Sequence, residues 1–480
     1  LPFELGHLFQ MLRSVKIEGK LFPDFRRGYL TMNRMIYAIG LVTILLTSCN
    51  FPGLGSSPQS EEELPTPGTD VMVGKDRVPT LTPEPTLTST ATETPLPSPI
   101  AAVFPELPTP TQRDFPTPQP LTAGEPVTLT KIKMFDTRTG WGTGFQQVSG
   151  ARVLYTEDGG ITWSDRTPPE QIAEMVEENE SVWSHFLDAS TAWVIYAPQR
   201  QPPPVDAPVV WRTTDGGLTW DPSPPLQADG MEDFFSPEGF ASVGNDYGWL
   251  LVHVGAGMSH DYSYLYATTD GGATWERVAD PYGIGIQSLH NTGLAFADPK
   301  FGWVSKNNLG VMPGAFYERT TDGGTTWEKV FLPAPTEHDW FNEVSLCETS
   351  SPIFTSDQTG VLIVNCRLPE DIQNNTLWSL TYIYTTSDRG ETWEHVRLPS
   401  PVEKMIYLDQ DLSWAFGRDH YRTTDNWHTW ELVKTVNWDG DFSYVDPLNA
   451  WAIARNEGAI ALVVTEDGGG SWQIIEAVVR

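Results

Sequence analysis

The chain has 480 residues, 39% of them hydrophobic and 11% aromatic, with 19 Trp, ample for a large core and rich in the residues that fill β architectures. Its 62 acidic and 30 basic residues leave a formal net charge of −32, a surface that repels nucleic acid, whose phosphates must be neutralised by Lys and Arg, and repels anionic lipid as well. Three cysteines exclude a disulfide-dense scaffold.

Residues 1–31 carry no targeting signal and read as an upstream extension, with Met32 the expected start. Residues 32–49 read M-N-R-M-I-Y-A-I-G-L-V-T-I-L-L-T-S-C. Arg34 supplies a positive flank, and Met35 to Leu46 is an uncharged, mostly apolar run of 12 residues. That run is short of the roughly 20 residues a membrane-spanning helix needs, and it has the length of a signal-peptide core. Leu46-Thr47-Ser48-Cys49 resembles a bacterial lipobox. The resemblance implies that 32–48 is a lipoprotein signal peptide and that Cys49, acylated on its thiol, is the first mature residue. The protein is then expected on the outer face of the bacterial cell membrane.

Residues 49–125 are dominated by Pro, Thr, Ser and Glu, as in Thr80-Leu81-Thr82-Pro83-Glu84-Pro85-Thr86. Such a segment cannot bury enough apolar surface to offset its ordering entropy. It reads as a disordered stalk, extended by its prolines and able to reach on the order of 200 Å.

From 126 to 480 the composition changes to short apolar runs separated by Gly-rich turns. The turn Thr156-Glu157-Asp158-Gly159-Gly160-Ile161-Thr162-Trp163 returns six times, ending at Trp220, Trp275, Trp327, Trp393, Trp430 and Trp472, with Asp215, Asp270, Asp322, Asp388, Asp425 and Asp467 in the place of Asp158. A period of about 35–65 residues marks repeated supersecondary units. Ahead of each turn lies an apolar strand opened by a small residue and Trp: Gly140-Trp141, Ala192-Trp193, Gly248-Trp249, Gly302-Trp303, Ser413-Trp414 and Ala450-Trp451, with Gly360-Val361 in the fifth unit. The first unit predicts four strands, over 128–135, from Trp141, over 151–155 and over 162–165. Seven such units predict an all-β fold, a seven-bladed β-propeller of four-stranded antiparallel blades. The Asp accepts backbone N–H bonds and the glycines permit positive φ, so the Asp and Trp of each turn are expected to fasten the blade. The first blade opens on its inner strand and the last ends on its outer one, which predicts closure by face packing without a shared strand.

These residues resemble a known family. The T-x-D-x-G-x-T-W turn is similar to the Asp-box, or bacterial neuraminidase repeat, and the F-x-D-x-x-x-G-W strand resembles the photosystem II assembly and stability factor propellers. The resemblance covers about residues 127–478. It implies an exported, non-catalytic propeller that binds a membrane-protein partner. Those propellers use a basic, Arg-containing surface, whereas this chain has 49 acidic and 21 basic residues from Pro126 onward.

Function is expected on the face opposite the Asp turns. The turns keep nearly constant length, but the distance from the small-residue–Trp position to the Asp ranges from 11 to 27 residues, and loops on rigid scaffolds commonly carry function. The connections from Pro168 to Glu180, read as a short helix, and from Leu332 to Thr349 are also long. This face is expected to carry Gln199, Arg200, His260, Asp261, Tyr262, His338, Asp339, Trp340, Glu370, Asp371 and Trp378, and to bind a protein partner or a surface glycan. Cys347 and Cys366 flank the fifth unit on the oxidising side of the membrane, where a disulfide between neighbouring strands can form.

The enzyme alternative is a sialidase-like glycoside hydrolase. Its F-R-I-P arginine motif does not occur in the sequence, and Arg212, Arg319 and Arg422 repeat by blade position rather than converging. Nor does the sequence hold a G-x-S-x-G elbow, a phosphate loop or H-E-x-x-H. His253, His260 and His290 have no ligand spacing. No catalytic residue, cofactor or metal is expected, and the chain is expected to be a monomer.

Overall fold

The computed structural model describes residues 120–146, 150–168, 180–198, 208–228, 235–257, 260–281, 285–286, 289–336, 346–368, 380–409 and 411–480. The signal segment, Cys49 and the stalk lie outside the described residues, as does the 168–180 connection apart from its ends.

The described residues form an all-β propeller of four-stranded antiparallel blades. The first unit is β1 (Thr128–Met134), β2 (Gly140–Phe145), β3 (Arg152–Thr156) and β4 (Thr162–Asp165), close to the strands predicted from the pattern. The second is β5 (Glu180–Phe186), β6 (Ala192–Pro198), β7 (Trp211–Thr213) and β8 (Asp221–Pro222). The third is β9 (Ser236–Val243), β10 (Tyr247–Gly257), β11 (His260–Thr268) and β12 (Glu276–Ala279). The fourth is β13 (His290–Phe296), β14 (Gly302–Asn307), β15 (Phe316–Thr320) and β16 (Glu328–Phe331). The next run is β17 (Leu346–Thr349), β18 (Ile353–Phe354), β19 (Gly360–Arg367), β20 (Leu380–Thr386) and β21 (Glu394–Leu398). Then follow β22 (Val402–Tyr407), β23 (Ser413–Gly417), β24 (Asp419–Thr423) and β25 (Glu431–Thr435), and β26 (Asp439–Tyr444), β27 (Ala450–Asn456), β28 (Ala459–Thr465) and β29 (Gln473–Ile475), with β30 (Val478–Val479) last.

Two features depart from the sequence expectation. Strands β13–β21 form one nine-stranded sheet rather than two separate sheets of four. β17 pairs with β19 along its length and touches β14 at the single pair Asn307–Glu348. Asn308 cements this junction: its N–H donates to the Cys347 carbonyl (2.9 Å), and its Oδ1 accepts from the Cys347 N–H (3.0 Å).

Closure does involve a shared strand. β30 adds in parallel to the edge of β4, making the first sheet five-stranded. On its other side Val127 N–H donates to Ala477 O (2.9 Å) and Gly124 N–H to Val479 O (2.8 Å), while Val479 N–H donates to Glu125 O (3.0 Å). The C-terminal backbone thus satisfies donors that face packing alone would leave unpaired.

Among the described residues each core cluster lies between consecutive units. Trp141 and Val153 pack on Phe186 and Trp211, and Trp249 packs on Leu294 and Phe296. The last cluster closes the ring, joining Leu129, Met134 and Trp163 to Trp451, Leu462 and Val479. The small-residue–Trp positions stitch neighbours together. Trp193 Nε1 donates to Gly271 O (2.8 Å), Trp249 Nε1 to Gly323 O (2.9 Å), and Trp451 Nε1 returns from the last unit to Gly159 O of the first (2.8 Å).

Candidate functional site

The Asp turns are built alike. In the first, Asp158 Oδ1 accepts from Thr162 N–H (2.8 Å) and Thr156 Oγ1 (3.0 Å), and Oδ2 accepts from Thr162 Oγ1 (2.7 Å). Thr156 Oγ1 also accepts from Gly160 N–H (2.9 Å). Gly159 and Gly160 have φ of 79° and 90°, which a side chain would strain. The same carboxylate bonds recur at Asp215, Asp270, Asp322, Asp388, Asp425 and Asp467. The hydroxyl and amide of Thr429 bring the Asp425 carboxyl down to about 2. These oxygens are occupied by the chain itself. Arg319 likewise binds Glu328 (2.7 Å) and Glu391 (2.6 Å), and Arg422 binds Glu431 (3.0 Å), each within its own or the next unit.

At the opposite end the β10–β11 hairpin outruns its neighbours. It pairs out to Gly257–His260, beyond the last pairs with β9 at His253 and with β12 at Leu265. Its outer part carries two of the expected site residues, the part-buried Asp261 and Tyr262, and His260 opens β11. Gln199, Arg200, His338, Asp339, Trp340, Glu370, Asp371 and Trp378 lie outside the described residues.

Asp261 is the hub of a polar cluster. Its Oδ2 accepts from His290 Nδ1 (2.9 Å) and Asn291 N–H (3.4 Å), and its Oδ1 lies 3.7 Å from His253 Nε2. Burial opposes the Asp261 charge, but the two imidazoles outweigh it and hold the carboxyl below the usual range. In return the Asp261 hydrogen bond raises His290, against some desolvation. Asn291 Nδ2 donates to Glu238 Oε2 (3.0 Å) and Ser263 Oγ (2.8 Å). Its Oδ1 accepts from Lys306 Nζ (2.8 Å), whose ammonium also pairs with Glu318 (3.1 Å) in a site where both side chains are buried. Burial raises Glu238 and lowers Lys306, with Glu318 opposing the latter.

The sequence reading named His253 and His290 without a meeting point, and it missed Glu238, Asn291, Lys306 and Glu318. Each sits on a strand that carries other polar residues, so none stands out locally. Among the described residues no group of three or more His, Cys, Asp or Glu is arranged to hold a metal ion.

Cys347 and Cys366 are directly opposite on β17 and β19 and form a disulfide, with Cα atoms 4.2 Å apart. It lies beside the Asn307–Glu348 junction.

No protein-family model and no curated protein matches the chain. Solved structures do. YCF48 bound to a D1 peptide is 20% identical, with a TM-score of 0.45, over 72% of this chain and 95% of that one. YCF48 from Cyanidioschyzon merolae is 18% identical, TM-score 0.44, over 72% and 97%. An ulvan lyase, a polysaccharide lyase bound to a GlcA(1-4)Rha3S saccharide, is 11% identical, TM-score 0.44, over 74% and 97%.

Proposed function

We propose that the chain is an exported, lipid-anchored, non-catalytic protein whose seven-bladed Asp-box propeller captures a protein partner, as an assembly or stability factor for a membrane complex. The nine-stranded sheet is read as two blades bridged at Asn307–Glu348, which restores one blade per Asp turn. The observation that carries the reading is the asymmetry between the two ends of the strands. At one end the Asp carboxylates are consumed by their own turns. At the other the β10–β11 hairpin projects past its sheet with Asp261 and Tyr262 near its tip. The Cys347–Cys366 disulfide favours an oxidising compartment, in keeping with the signal segment and Cys49.

The test is capture from the native membrane fraction by the full chain, with Asp261→Ala/Tyr262→Ala as the comparison and Cys49→Ser as a separate check of the anchor. Loss of a specific protein with the hairpin variant, at unchanged thermal stability, supports the reading. Equal capture by both proteins, or release of sugar from a glycan panel, overturns it. Membrane retention of Cys49→Ser overturns the anchor alone.

A further inference from the structure

A cavity of about 510 Å³ opens where four units meet, lined by β1, by β18 with Ser350-Ser351 before it, by β22 and by β26. Its size is that of a small-molecule site. Ile132, Ile353, Met405, Ile406 and Phe442 supply an apolar wall. Lys131, Glu403, Lys404 and Asp441 add charges of both signs.

Around Asp441 of the last unit, one carboxylate is shared among three cations drawn from β1, β22 and β27. Asp441 accepts from Lys404 Nζ and from Arg455 Nη2 (2.7 Å). Its field also supports Lys131, which burial otherwise holds below the usual lysine range. Lys131 lines the cavity, and among the described residues its ammonium donates to Ser184 O (2.5 Å). Asp439 pairs across the strands with Arg455 and lines an adjoining recess of about 190 Å³, outside the main cavity. Glu403 precedes Lys404 on β22 and is exposed at the cavity. It faces Glu348 of β17, whose carboxyl is raised by burial, with Glu403 pushing in the same direction and Asn307 and His290 against it. Unlike Asp441, Glu403 is in no ion pair among the described residues.

We propose that this cavity binds a small zwitterion with an apolar body, a free amino acid or short peptide, with its carboxylate on Lys131 and Lys404 and its ammonium on Glu403. The apolar part lies on Ile353, Met405 and Ile406. The site is separate from the hairpin surface, so it stands or falls independently of partner capture.

Isothermal titration of the full chain with free leucine and with leucyl-leucine tests it, beside two charge-blocked probes, N-acetyl-leucine and leucinamide. At least one zwitterion binds saturably, and each blocked probe binds about tenfold more weakly, since a charge-assisted contact is lost. Lys131→Met weakens the zwitterion about tenfold and leaves leucinamide unchanged. Glu403→Gln does so and leaves N-acetyl-leucine unchanged. Glu403 is exposed, so that variant keeps the test decisive where Lys131→Met disturbs its strand. No saturable heat with either zwitterion, or equal affinity for the blocked probes, overturns the assignment.

Discussion

His420 couples folding to pH in a way that one substitution isolates. Its ring is 2% exposed on β24, and neither nitrogen has a hydrogen-bond partner among the described residues. It stands edge-on to three aromatic rings, Phe416 (5.1 Å, 82°), Phe442 (5.3 Å, 88°) and Trp438 (5.6 Å, 86°), a geometry that suits a neutral N–H over a π face. Burial brings its pKa down to about 4, with Asp419 opposing and Lys434 adding. The unfolded value is about 6.5. Between these values the unfolded chain binds the proton and the folded chain does not, so stability rises with pH. The contribution is fully present above about pH 6.5 and is lost as pH falls toward about 4. The gap is worth about 3 kcal/mol. The assay is urea unfolding followed by Trp fluorescence at pH 7 and pH 4 for the native protein and His420→Phe. Near pH 7 the two differ by under about 1 kcal/mol, and at pH 4 the variant is ahead by about 3 kcal/mol. His185, held at about 3 by burial and by Lys131 and Lys133, contributes with the same sign in both proteins and cancels in the difference. Parallel pH dependence of the two stabilities would refute the reasoning.

Trp193→Phe removes the bond from Nε1 to Gly271 O in a fully buried seam, and a urea titration should show a loss of about 2 kcal/mol. Deleting residues 477–480 removes β30 and the acceptors of the Gly124 and Val127 amides. Hydrogen exchange at those two amides should then approach the unprotected rate, while that of β14 and β20 changes little. Reducing Cys347–Cys366, whose sequence separation is 19, should cost about 3 kcal/mol in the chain-entropy model, read as a fall in the urea midpoint with and without reductant.

Strands and turns were legible because their signals are local. Thr128 to Met134 alternates, Gly140-Trp141 opens β2, and the side-chain bonds of Thr156, Asp158 and Trp163 all close between Thr156 and Trp163, so no distant residue is needed to recognise the turn. The junction of β14 with β17 was not legible, because it depends on Asn308 meeting Cys347 across a connection longer than 30 residues. Nor was β30. Val478-Val479 reads as a continuation of the last unit, and only the ring geometry brings it against Thr162-Trp163 more than 300 residues earlier.

The polar clusters were hidden for the same reason, with a consequence for where function can be sought. Lys131, Glu238, Asn291, Glu403 and Asp441 sit on five different first strands, and nothing within any one repeat says which of them meet. A repeat aligns equivalent positions, so it exposes what the units share and conceals what differs among them. The shared residues, Asp and Trp, are spent on turns and seams. Differences between units accumulate on the first strands and at the ends away from the turns, and there the ring gathers unlike residues from different units into one place: Asp261 between two imidazoles, and Asp441 among three cations. Chemistry that needs unlike groups within a few ångströms has its material at those positions, and the seven matching turns have none to offer it.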